Sequence, residues 1–108
     1  MESECVTLAE RGRTLIAYIG CEIDHHTAKK IRENIDRRMF LCRPTTLVMD
    51  FSGVGFMDSS GIALILGRAE VAEELGATVE LCGLSASLCK LVRLSGIERV
   101  KNLCMLHG

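Results

Sequence analysis

Apolar and polar positions alternate along residues 5–9 and again along 13–19, a period of two that predicts two strands. Between them lies Glu10-Arg11-Gly12, and Gly12 suits a tight turn, so the two strands are expected to pair as a hairpin. The period then lengthens. Ala28, Ile31, Ile35 and Met39 recur at helical spacing behind Asp24, a residue suited to an N-cap. This helix should run to about Phe40 and stop before Arg43-Pro44, because the residue preceding proline disfavours helix. Leu47-Val48-Met49 is continuously apolar and reads as a buried strand. A loop over residues 53–57 leads to Asp58-Ser59-Ser60, which opens a second helix. Ile62, Ile65, Leu66, Ala69 and Ala72 form its apolar face, and Gly76 closes it in the left-handed conformation.

Residues 78–82 read as a further strand, followed by Ser85 or Ser87 as a helix cap. Leu88, Leu91 and Val92 make the stripe of a third helix that ends near Gly96, and residues 99–105 read as a last strand. Strands alternate with helices after the opening hairpin, which implies right-handed crossovers and a largely parallel sheet. The pattern predicts an α/β fold with a mixed sheet, an N-terminal hairpin and three to four helices. With 108 residues and no linker or internal repeat, the chain is expected to be one domain.

Composition narrows the function. Hydrophobic residues make up 48% and charged residues 25%, enough apolar content to exclude disorder. The net charge is −1 without a Lys/Arg stripe, which argues against direct nucleic-acid binding. The longest apolar run, around Gly61 to Gly67, falls far short of the roughly 20 residues of a membrane span. The acidic start, Met-Glu-Ser-Glu-Cys, does not resemble a signal peptide, so a cytoplasmic address is expected. Six cysteines stand at 5, 21, 42, 82, 89 and 104, with no spacing typical of zinc. They read as buried or incidental thiols, with a regulatory thiol as the alternative, and neither a metal nor a cofactor is expected.

In parallel sheets the functional crevice lies at the carboxyl ends of the strands. Residues 21–26, 53–60 and 83–87 reach it, which brings Asp24, Asp58, Ser59 and Ser85 forward. Asp58-Ser59-Ser60-Gly61 has two readings. Asp58 or Ser59 can simply cap the helix; alternatively, a serine here can carry a phosphate, because free amides and the positive end of the helix dipole would accommodate it. Phe56 and Met57, just before, offer an apolar contact patch or part of the core. His25 and His26 point roughly 100° apart on a helix and cannot ligate one ion as an i, i+4 pair does. They read as polar first-turn residues or a recognition contact. A hydrolase assembled from Ser59, His25 and Asp24 lacks the G-x-S-x-G elbow, and no phosphate-binding glycine loop is present, so an enzyme is not expected.

The stretch Glu22-Ile23-Asp24-His25-His26-Thr27-Ala28, then Leu47-Val48-Met49-Asp50-Phe51, then residues 56–68 beginning Phe56-Met57-Asp58-Ser59-Ser60-Gly61, resembles the STAS family (sulphate transporter and anti-sigma factor antagonist). The likeness spans residues 5 to about 103 and is strongest to its sporulation anti-sigma factor antagonists. It implies a STAS-type fold and an anti-anti-sigma switch. The unphosphorylated protein, monomeric when free, would bind an anti-sigma factor that is also a serine kinase, freeing a sporulation sigma factor. Phosphorylation of Ser59 would end that binding, and a metal-dependent serine phosphatase would reset it. Asp24, His25, Phe56, Met57, Asp58 and Ser60 would meet the partner. The same switch in a general stress response, or a STAS scaffold without phosphorylation, are the alternatives. Cys21 stands where the family usually has glycine, which places a thiol close to the expected functional face.

Overall fold

Five strands pair in sequence order in the computed structural model, which describes residues 5–106. Strands β1 (Val6–Arg11) and β2 (Thr14–Ile19) form the expected antiparallel hairpin, with Arg11 opposite Thr14 and Gly12 at φ +60° in the turn. Strands β3 (Thr46–Asp50), β4 (Thr78–Cys82) and β5 (Leu103–Met105) add in parallel, so the sheet is mixed and mostly parallel. Residues 1–4, most of the acidic start read above as no signal peptide, lie outside the described residues.

Side-chain alternation sets the core. Leu15, Leu47, Val79 and Leu103 form one buried row across four strands, and Ala17, Met49 and Leu81 form the next. On the other face, Ile16, Val48 and Glu80 are only half-buried and Tyr18 is exposed. Helices α1 (His25–Cys42) and α2 (Ser59–Glu74) pack on the sheet, and Leu88 and Val92 of α3 (Ala86–Leu94) join the same core. Helix α1 packs on α2, β1 and β2, while α2 also packs on β4. Ile31, Ile35 and Met39 point inward from α1 as the spacing predicted, with Ala28 at the margin. Burying each such large side chain contributes about 1.5–3 kcal/mol. On α2 the inward face is centred differently from the prediction: Gly61, Leu64 and Arg68 are buried beside Ile65, Ala69 and Ala72, while Ile62 and Leu66 are half-buried at its margin. Gly76 follows α2 at φ +75°, as expected of its closing residue. No helix among the described residues is long and apolar enough to cross a membrane.

One element boundary differs from the sequence reading, the start of the last strand. Helix α1 stops before Arg43-Pro44 as expected: it ends at Cys42, and Arg43 caps it in the left-handed conformation (φ 47°, ψ 60°) with its N–H on the Met39 carbonyl at 2.9 Å. The Arg43 guanidinium then lies over the Phe40 ring and its Nε donates to the Phe40 carbonyl, offsetting part of the cost of that backbone. The last strand is short. Residues Ile97–Arg99 form a single 3₁₀ turn, and Leu103 N–H closes onto the Val100 carbonyl before β5 begins. Asn102 fixes this turn by donating to the carbonyls of Ala69 and Ala77.

Candidate functional site

The loop after β2 and the loop after β3 meet at the start of two helices. Ile23 and Met57 form an isolated parallel bridge: Ile23 N–H donates to the Phe56 carbonyl at 2.9 Å, and Asp58 N–H donates to the Ile23 carbonyl at 3.2 Å. These backbone bonds hold the N-terminus of α1 beside that of α2. Both ends are capped by aspartate. Asp24 Oδ1 accepts from the His26 and Thr27 N–H groups at 2.9 and 3.0 Å, and Thr27 Oγ1 accepts from Asp24 N–H, completing a capping box. The Thr27 N–H bond above all, with that of His26, holds the Asp24 carboxyl below its ordinary range. Asp58 Oδ1 accepts from Ser60 N–H at 2.7 Å.

Of the two readings of the Asp58-Ser59-Ser60 run, Asp58 is therefore the cap, and Ser59 is the exposed first residue of α2. Ser60 is half-buried, turned roughly 100° from Ser59. It lines a groove of about 330 Å³ between α1 and α2, together with His25, Ala28 and Leu64. His25 and His26 are both exposed, with ring centroids 5.8 Å apart edge to face. Among the described residues no cluster of His, Cys, Asp or Glu could hold a metal ion. Ser85 caps α3 through a bond from Leu88 N–H at 3.3 Å, resolving the choice between Ser85 and Ser87.

Phe56 and Met57 part company. Phe56 is 53% exposed at the rim of the site, whereas Met57 is 3% exposed and belongs to the core. The bridge to Ile23 turns Met57 inward, and Gly61 makes room for it: a Cβ at Gly61 would lie 2.7 Å from Met57 Sδ. Of the two readings, Met57 is therefore part of the core, which corrects its place among the expected partner contacts, and Phe56 is the exposed apolar side chain.

The sequence reading did not single out the cationic wall of the groove. Lys29 and Arg32 stand exposed on α1, and Arg68 comes from α2. Arg68 is 4% exposed, and its Nε approaches Asp36 Oδ1 at 2.7 Å without the alignment of a hydrogen bond. Burial pushes the Asp36 carboxyl up and the Arg68 guanidinium down, each partly countered by the other's charge. The i, i+3 spacing of Lys29 and Arg32 is the signal that could have revealed this wall.

The family model for the STAS domain matches residues 6–105. An anti-sigma F factor antagonist from Lysinibacillus sphaericus is 33% identical over 84 residues, covering 78% of this chain and 72% of that protein. The anti-sigma factor antagonist SpoIIAA in its unphosphorylated form matches with a TM-score of 0.74 at 28% identity, over 95% of this chain and 88% of that one. The phosphorylated form of the Bacillus cell fate determinant SpoIIAA matches with a TM-score of 0.72 at 29% identity, over 94% and 91%. A mixed sheet with an opening hairpin, two helix starts joined through the Ile23–Met57 bridge, and a match along almost the whole described chain agree: the chain belongs to the STAS domain family.

Proposed function

We propose that this chain is an anti-sigma factor antagonist switched by phosphorylation of Ser59. The unphosphorylated form binds an anti-sigma factor that is also a serine kinase, and so releases a sporulation sigma factor. A metal-dependent serine phosphatase restores the binding form, and the free protein is a cytoplasmic monomer. The chain itself acts by binding and catalyses nothing. The observation that carries this reading is the exposed Ser59 at the first position of α2, flanked by Asp58 and held next to Asp24 and His25 by the Ile23–Met57 bridge.

The placement suits a reversible modification. A phosphate on Ser59 meets the amides and positive end of α2, which supports retention of the helix. The same phosphate adds about −1.5 to −2 charges to a surface that Phe56, Asp24, His25 and Ser60 would present to the partner. Burying that charge against a surface shaped for a hydroxyl costs several kcal/mol, with Asp58 adding like-charge repulsion. At about 1.4 kcal/mol per tenfold change, binding falls by at least about 100-fold.

The test is incubation of the wild-type protein with ATP and a purified anti-sigma factor of the serine-kinase class. A mass gain of about 80 Da on Ser59 is expected, absent in Ser59→Ala and retained in Ser60→Ala. Binding to the nucleotide-loaded kinase should be strong for wild type and Ser59→Ala, partly weakened for Ser59→Asp, and lost on phosphorylation. Equal affinity of phosphorylated and unphosphorylated protein would sink the switch.

A further inference from the structure

The hairpin brings two thiols together. Gly20 N–H donates to the Cys5 carbonyl at 2.9 Å, one step beyond the Val6–Ile19 pair, so Cys5 lies across from Gly20. Strand β2 has ended at Ile19, and a bend at Cys21 carries its side chain back to Cys5, with which it hydrogen-bonds. Both side chains are half-buried against the core. The other cysteines occupy different elements: Cys42 on α1, Cys82 on β4, Cys89 on α3 and Cys104 on β5. Burial, and then the neighbouring Cys5 sulfur, push the Cys21 thiol up to about 12, so Cys21 keeps its proton at neutral pH. The two sulfurs are therefore placed so that one can be oxidised and the other can resolve it.

We propose that Cys5 and Cys21 are a modification site, a dithiol that a peroxide converts to a reversible intramolecular disulfide. The Cys5 thiolate attacks one peroxide oxygen, the O–O bond breaks, and a sulfenic acid forms while hydroxide leaves and takes up a proton as water. Cys21 sulfur then attacks the Cys5 sulfur, the S–O bond breaks, and the departing hydroxide carries away the Cys21 proton as a second water. Two electrons pass from the two sulfurs to the peroxide. The bond closes a loop around the whole hairpin and pins the segment entering α1. Ile23, two residues beyond Cys21, carries the backbone bonds to Phe56 and Asp58, so the staple reaches the loop that leads into Ser59. This inference stands without the phosphorylation switch.

The test treats the folded full chain with hydrogen peroxide, blocks remaining thiols with iodoacetamide, and maps the peptides. The expected product links Cys5 to Cys21, about 2 Da lighter than the two reduced peptides together, and is reversed by dithiothreitol. Cys42, Cys82, Cys89 and Cys104 should be recovered alkylated. Cys21→Ser should leave Cys5 as a sulfenic acid trapped by dimedone, while Cys89→Ser should leave the cross-link unchanged. Full alkylation of Cys5 and Cys21 after peroxide, or linkage of either to another cysteine, overturns the proposal. Hydrogen exchange at the Ile23 and Asp58 amides should slow in the oxidised form; unchanged exchange overturns the coupling to the Ser59 loop.

Discussion

Phe56 and Met57 are neighbours in opposite environments, and substitution should separate them. Met57→Ala removes a core side chain against Gly61 and should cost about 2–5 kcal/mol in chemical denaturation. Phe56→Ala should change stability by less than about 0.5 kcal/mol while weakening partner binding. A second residue-scale expectation concerns acid. The Asp24 carboxyl has a lowered folded-state pKa, so the stability it contributes is fully present above the ordinary carboxylate pKa and is lost as pH falls through the lowered one. The melting temperature of wild type should therefore drop more steeply than that of Asp24→Asn between about pH 5 and pH 2. Parallel acid profiles would show that the cap contributes nothing through its charge. The aspartate caps were legible in sequence because an N-cap is a local event, set by a side chain and amides two or three residues away. The burial of Met57 was not, since it depends on a bridge to Ile23, far along the chain. The Cys5–Cys21 contact escaped for a related reason: strict alternation puts Cys21 on the face away from Cys5, and only the bend after β2 reverses that.

At the scale of elements, α1 and α2 are joined through the Asp36–Arg68 pair as well as through apolar packing. Removing only the negative partner strands a buried guanidinium, so Asp36→Asn should cost about 3 kcal/mol. Arg68→Met replaces the stranded charge with apolar volume and should cost less. Urea titrations of the two variants decide it, and equal losses would mean that the pair acts only through shape. Periodicity exposed the cores of both helices because Ile31, Ile35, Met39, Ile65 and Ala69 repeat at helical spacing. Arg68 broke that rule, as a charged residue on an inward face is visible only once its partner on another helix is known. The end of α1 before Arg43-Pro44 was legible from the proline, whereas the left-handed backbone of the non-glycine residue Arg43 was not.

For the whole molecule, the hairpin strands were legible from alternating residues and β3 from its apolar run, whereas the order and register of the parallel strands depend on pairing between distant segments. The proposed phosphorylation of Ser59 would act on a helix start already capped by Asp58, so the far-ultraviolet circular dichroism of the two forms should superimpose. A marked loss of helix would instead make the modification a folding switch. The Ile23–Met57 bridge has a kinetic corollary. The two helix starts are fixed against one another before any partner arrives, so association needs no loop ordering. Encounter should be single-phase, with a rate constant of about 10⁵–10⁷ M⁻¹s⁻¹ that changes little among site variants. The lifetime of the complex is then what residues around Ser59 tune, and a slow concentration-independent phase in stopped-flow mixing would reveal a site that has to assemble first.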